Sequence, residues 1–130
     1  DTPFNSLKDI VAWAAGLGYK GVQIPTFDAR LFDLEKAADS QTYCDEMKGI
    51  CADAGVVITE LSTHLQGQLV AVNPVYDEAF DAFAPAHLHG KPDDRKDWAI
   101  DQMMKAAVAS KRLGLSHTVS FTGSLAFPFL

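Results

Sequence analysis

Three times along the chain, apolar residues at three- and four-residue spacing lead to a glycine and then to a short β-rich run: GLGYKGVQI, DAGVVITEL and RLGLSHTVSF. The first periodic stretch, residues 5–18, puts Leu7, Ile10, Val11 and Ala14 on one stripe, as a helix requires. Asn5 or Ser6 can cap its free amides, and Gly18 stands where a left-handed terminus belongs. GVQIP follows as a short strand stopped by Pro25. Residues 26–39 are mixed and predict a loop with a helical turn. A second helix, residues 40–55, has Ser40 as its cap, Tyr43, Met47, Ile50, Cys51 and Ala54 at helical spacing, and Gly55 as its stop. VVITEL is the next strand. Residues 62–90 then read as a long insertion with a short helix near 75–83, punctuated by Pro74, Pro85 and Gly90. Residues 92–114 predict a long helix, with Pro92, Asp93 and Asp94 suited to its start and Lys111 and Arg112 to its end. Trp98, Met103 and Met104 are its expected contacts with the sheet. SHTVSF is the third strand.

Helix–strand units in this order call for parallel strands joined by right-handed crossovers. An open doubly wound sheet and part of a closed β/α barrel both fit. A central strand of an open sheet is apolar on both faces. Here one parity is apolar (Val57, Leu61, Val119, Phe121), whereas the other carries Glu60, Ser62 and His64, then Thr118, Ser120 and Thr122. Gln23 stands likewise between Val22 and Ile24. A barrel with a polar site at the C-terminal ends of its strands accounts for that alternation. No glycine-rich phosphate loop of either standard spacing opens a helix, which counts against the nucleotide-binding alternative. The expected fold class is therefore α/β, with parallel β/α units forming part of a TIM (β/α)8 barrel, incomplete in this chain. A solenoid is not expected, since no repeat of fixed period is seen.

Composition narrows the function classes. The 130 residues are 48% hydrophobic and 22% charged, with a net charge of −6. That suits one globular domain, residues 1–130, with the insertion at about 65–91. The acidic balance argues against a nucleic-acid-coating surface, and no apolar run approaches the roughly 20 residues of a membrane span. Cys44 and Cys51 lie on one helix with their α-carbons about 10 Å apart, too far to bridge. They read as buried reduced thiols in a reducing, cytoplasmic compartment. The chain begins at Asp1 without a Met, so its start is expected to be processed or cut.

ITELSTHLQGQL concentrates the candidate chemistry. His64 leads, because an imidazole exchanges protons near neutral pH and responds to a neighbouring carboxylate such as Glu60. Glu60 itself reads as a paired carboxylate, either supporting a site or joining a structural ion pair. Gln66 and Gln68 flank Gly67 on the following loop and can bind hydroxyls through their amides, or simply form an exposed polar loop. His87 and His89 are two apart, too few for a metal site. His117, at the start of a strand, is expected to be structural. Phe127, Pro128 and Phe129 form either an aromatic wall or packing for the next helix.

LGYKGVQIP, AGVVITELSTHLQGQL and RLGLSHTVSFTGS together resemble the sugar phosphate isomerase/epimerase group of the xylose-isomerase-like TIM barrels, which also include endonuclease IV. The likeness covers about residues 6–124. It implies that this chain is the N-terminal part of a barrel of about 250 residues. It also implies metal-assisted proton transfer on a sugar or polyol: isomerisation, epimerisation or a related dehydration. A divalent ion (Mn, Mg, Co or Zn) is implied for the full-length protein, with its ligands in later strands and none predicted from this chain. His64 matches the His after the third barrel strand, which contacts substrate in relatives or ligates zinc in endonuclease IV. It is the candidate catalytic residue. Glu60, Ser62, Gln66, Gln68, Gln23 and Thr122 are the candidate substrate-binding residues. Gln23 stands where relatives often carry Glu. Phe121-Thr122-Gly123 replaces the His before Pro-Gly of endonuclease IV, which removes a zinc ligand. The alternatives are an endonuclease IV-like phosphodiesterase and a non-catalytic sugar-binding barrel. The expected partner is a small sugar or polyol, with neither nucleic acid nor membrane, and assembly into identical copies is left open.

Overall fold

The computed structural model describes residues 4–126. Its elements run α1 (Leu7–Gly16), β1 (Gly21–Pro25), α2 (Leu34–Asp39), α3 (Gln41–Asp53), β2 (Val57–Ser62), α4 (His64–Gln68), α5 (Asp77–Phe80), α6 (Pro92–Leu113) and β3 (Thr118–Val119). Single 3₁₀ turns at Pro74–Tyr76, Asp81–Phe83 and Ala86–Leu88 complete the insertion. The strands pair in parallel in the order β1-β2-β3. Parallel pairing, with helices in each crossover, is the arrangement of a β/α barrel segment.

Local chemistry sets the helix ends. Ser6 Oγ accepts from Asp9 N at 3.2 Å, and Ser40 Oγ accepts from Tyr43 N at 3.2 Å, so each serine satisfies an otherwise unpaired amide. Asp33 does the same for α2. Pro92 opens α6, and Gly114 closes it at φ 79°. The core joins Leu7 and Val11 of α1, Cys44 and Cys51 of α3, and Ile24, Ile58 and Leu61 of the sheet to Ala106, Ala109 and Leu113 of α6. α6 buries the small residues Ala99, Ala106, Ala109 and Ser110 on the same stripe as Arg95, Gln102 and Leu113. Small residues on that stripe let the helix approach α2 and the sheet closely. Met104, expected to pack on the sheet, is 65% exposed. Met103 does reach the ends of β2 and β3, since its Sδ accepts from Thr63 Oγ1 and lies 3.3 Å from Ser120 Oγ.

The simple alternation expected for the strands does not hold. Val22 pairs with Ile58 but Gln23 pairs with Glu60, so Thr59 is an extra residue in β2. This bulge shifts the phase of the strand. Ile58 and Leu61 both enter the core, although they differ in parity, and Val57 is left 62% exposed. On the third strand the expected assignment is reversed. Thr118 Oγ1 meets Ser110 Oγ of α6 at 2.5 Å, and Ser120 Oγ lies 3.3 Å from Met103 Sδ of α6, so both hydroxyls face the helices. Val119 and Phe121 are exposed instead. Regular pairing of β3 stops after two residues, shorter than the six-residue strand expected. The loop expected around Gln66 is the helix α4, and the mixed stretch before Ser40 holds the helix α2. Among the described residues, no helix is long and apolar enough to cross a membrane.

Candidate active site

The face of the sheet opposite the helices carries a polar row. Gln23 and Glu60 are register partners, and Gln23 Nε2 donates to Glu60 Oε1 at 2.9 Å. Leu61 pairs with Thr118, which brings His117 beside Glu60, and His117 Nε2 lies 3.1 Å from Glu60 Oε2. Ser116 Oγ stands 2.9 Å from the other ring nitrogen, Nδ1. One carboxylate therefore bridges three strands. His117, read from sequence as structural, is part of this row. Its place beside Glu60 is set by the β2–β3 register, Leu61 against Thr118, which a single chain without pairing does not reveal.

His64 sits one layer further on, at the exit of β2. Ser62 Oγ lies 2.9 Å from His64 Nδ1. The Ser62 carbonyl is held in turn by Thr26, whose N–H and Oγ1 both donate to it. The imidazole is half-buried between two rings, meeting Phe27 and Phe121 edge-on with centroids 5.4 and 6.3 Å away. With Nδ1 held by Ser62, Nε2 is the nitrogen left for a ligand. Phe27 and Phe121 are exposed aromatics beside a polar cluster, the arrangement that receives the apolar face of a ring bearing hydroxyls.

The remaining candidates separate. Gln68 and Thr122 share a pocket of about 370 Å³ with Phe80, Ser120, Phe121, Gly123 and Ser124. Gln68 Nε2 also donates to the His64 carbonyl at 3.2 Å. Gln66 is buried elsewhere, donating through Nε2 to Thr26 Oγ1 at 3.1 Å. Gly67 between them is packed so closely on β3 that an added Cβ would stand 1.8 Å from the Phe121 carbonyl oxygen. His87 and His89 are exposed, and His89 Nε2 lies 3.1 Å from the Ala84 carbonyl rather than facing a shared ion. Phe127, Pro128 and Phe129 lie outside the described residues. Among the described residues, no three His, Cys, Asp or Glu side chains come close enough to hold a metal ion.

A family model described as xylose isomerase-like TIM barrel matches residues 11–128. The chain belongs to the xylose isomerase-like TIM barrel family. The parallel sheet, with helices in its crossovers, is what one segment of such a barrel looks like. Members of the xylose isomerase-like TIM barrels are largely enzymes, sugar isomerases and epimerases as well as endonuclease IV-like proteins. A search of curated proteins returned no match.

Proposed function

We propose that the protein acts as a sugar phosphate isomerase/epimerase-like enzyme, moving a proton on a sugar or polyol held against the open face of the sheet. The observation that carries this reading is the Gln23–Glu60–His117 row across the sheet, with His64 and two exposed rings one layer further on, past the exit of β2. Such a row offers alternating donors and acceptors at the spacing of adjacent strands, which suits vicinal hydroxyls. Phe27 and Phe121 cover the apolar face of the sugar. His64, with Ser62 fixing its Nδ1 side, presents Nε2 to a hydroxyl or carbonyl and relays the proton. Gln68 and Thr122 bind the far end of the substrate from their shared pocket.

A divalent ion in this chemistry polarises a carbonyl and its neighbouring hydroxyl. Glu60 and His117 are two adjacent groups of ligand type, but two are too few, and no third joins them among the described residues. The residues described here therefore do not fit a resident ion by themselves, and the relay given to His64 and the hydroxyl contacts given to Gln23, Glu60 and His117 do not run through one.

Proton abstraction beside a carbonyl leaves a signature that does not depend on knowing the substrate's name. The full-length protein, incubated with a panel of ketoses and their phosphates in D2O, should place deuterium at the carbon next to the carbonyl. His64→Ala should slow that incorporation with little loss of folding. No exchange across the panel removes the proposal. Wild-type exchange in His64→Ala returns His64 to a structural role.

A further inference from the structure

The pocket of about 370 Å³ that holds Gln68 and Thr122 adjoins His64 through two contacts. Phe121, in its lining, meets the imidazole edge-on with centroids 6.3 Å apart, and Gln68 Nε2 donates to the His64 carbonyl. The lining is assembled from three places. Gln68 belongs to α4, residues 120–124 follow β3, and Phe80 is brought by the insertion.

Phe80 ends α5, a helix of four residues and too short to hold its own place. α6 holds it instead. Arg95, 2% exposed, donates through Nη1 to the Asp77 carbonyl at 2.7 Å and through Nη2 to Asp77 Oδ1 at 2.6 Å. Its Nη1 also donates to Asp81 Oδ1. Asp77 and Asp81 are one helical turn apart and bracket Phe80, so rotating α5 to take the ring out of the lining would pull both carboxylates off the guanidinium. A buried charge cluster of this kind adds little net stability, whereas its forked geometry fixes orientation. The Phe83 ring braces Phe80 at 5.6 Å. The insertion is also joined to the pocket rim, where Asn73 Nδ2 donates to the Leu125 carbonyl at 2.8 Å and Val72 bridges Ser124.

The lining side chains are uncharged. Gln68, Ser120, Thr122 and Ser124 bring an amide and three hydroxyls, and Phe80 and Phe121 bring two rings. A phosphate set among them would lose water without meeting a cation. A methyl or hydroxymethyl end can lay its carbon on a ring.

We propose that Phe80 is a specificity-determining residue, which closes the far end of the substrate pocket so that it takes an uncharged chain end, and that Arg95 is the positioning residue that holds Phe80 there through Asp77 and Asp81. This rests on the reading of the site as one for a sugar or polyol, and adds which wall meets the end remote from His64.

The test uses the full-length protein in D2O with ketohexoses, their 6-phosphates, and the matched ketopentoses that lack the last carbon. Among sugars that exchange, kcat/KM should be at least tenfold higher for a ketohexose than for its 6-phosphate. It should be about tenfold higher than for the ketopentose, the effect of one carbon in a fitted pocket. Phe80→Ala should abolish the preference for the longer sugar and leave kcat/KM on the ketopentose unchanged. Phe80→Leu should lower that preference several-fold, and serves if Phe80→Ala does not fold. Asp77→Asn, which loosens the hold on α5 while keeping the buried guanidinium, should lower it in the same way through KM, with kcat unchanged. Faster exchange of the 6-phosphates, a length preference that survives Phe80→Ala and Phe80→Leu, or an equal loss on long and short sugars would overturn the proposal and leave the sugar reading standing. A preference untouched by Asp77→Asn would overturn the part given to Arg95. No exchange with any ketose would remove both readings together.

Discussion

His117 Nε2 lies 3.1 Å from Glu60 Oε2, although the two residues are 57 apart in sequence. The same carboxylate accepts from Gln23 on its other oxygen. Glu60→Gln keeps the size of the side chain and removes the charge. Because the row positions the substrate's hydroxyls for the transfer at His64, kcat on the responsive substrate should fall by about a hundredfold. The melting temperature should move little, because His117 is mostly exposed and a pair of that kind stabilises weakly. Steady-state kinetics beside a thermal melt separate the two effects. A large drop in melting temperature with unchanged kcat would assign the row to architecture alone.

Gly67 presents a different kind of test. Its hydrogen stands where a methyl group would overlap the Phe121 carbonyl. A backbone atom cannot swing aside as a flexible side chain does, so Gly67→Ala must push α4 and the β3 exit apart. The expected cost is about 3 kcal/mol, at the upper end of overpacking effects, read as a lower urea midpoint. Gly49→Ala, in α3 with nothing near its added methyl, is the control and should be neutral or slightly stabilising.

The insertion is tied down at Arg95, which is 2% exposed and bonds Asp77 at 2.6 Å and Asp81 at 2.5 Å. The Gly90 N–H and then Arg95 hold the Asp81 carboxyl below its usual value. Its contribution to stability is therefore complete above about pH 4, the unfolded value, and is lost as pH falls through the lower folded value. Asp81→Asn should destabilise the protein at neutral pH, and the gap between variant and wild type should narrow in acid. Urea titrations at pH 7 and pH 3 measure it. A gap that widens at pH 3 would contradict the assignment.

Cys44 and Cys51 are free and buried, and burial raises the pKa of both thiols. The Cys44 thiol also donates to the Ala37 carbonyl at 3.4 Å. A thiol reagent at pH 7 should leave the native protein unmodified over an hour and label two thiols after addition of guanidinium. Rapid labelling without denaturant would show that α3 detaches readily.

Helix ends were the most legible part of the sequence. Gly18, Gly55 and Gly114 all take positive φ where the periodic stretches stop, because each sits at a turn few other residues enter. The serine caps followed from the same local chemistry. Side-chain direction in the strands was less accessible. Thr59 has no feature that marks it as a bulge, yet it decides which way Ile58, Glu60 and Leu61 point relative to one another. Thr118 looked like a site hydroxyl until Ser110, on a helix packed from the other side, was seen to pair with it. His64 and Ser62 do come together as neighbours. Gln66 and Gln68, adjacent on paper, are divided between two cavities because α4 winds where a loop was expected.

The extra residue in β2 has a bearing on comparison with other barrels. On either side of Thr59 the strand keeps step with β1, but the two halves are offset by one position. A relative lacking that residue would align well by letters on one side only. Matching its residues to Glu60 or His64 by simple counting would then carry a role to the wrong side of the wall. Equivalence across this family is safer when traced from the Gln23–Glu60 rung than along the chain.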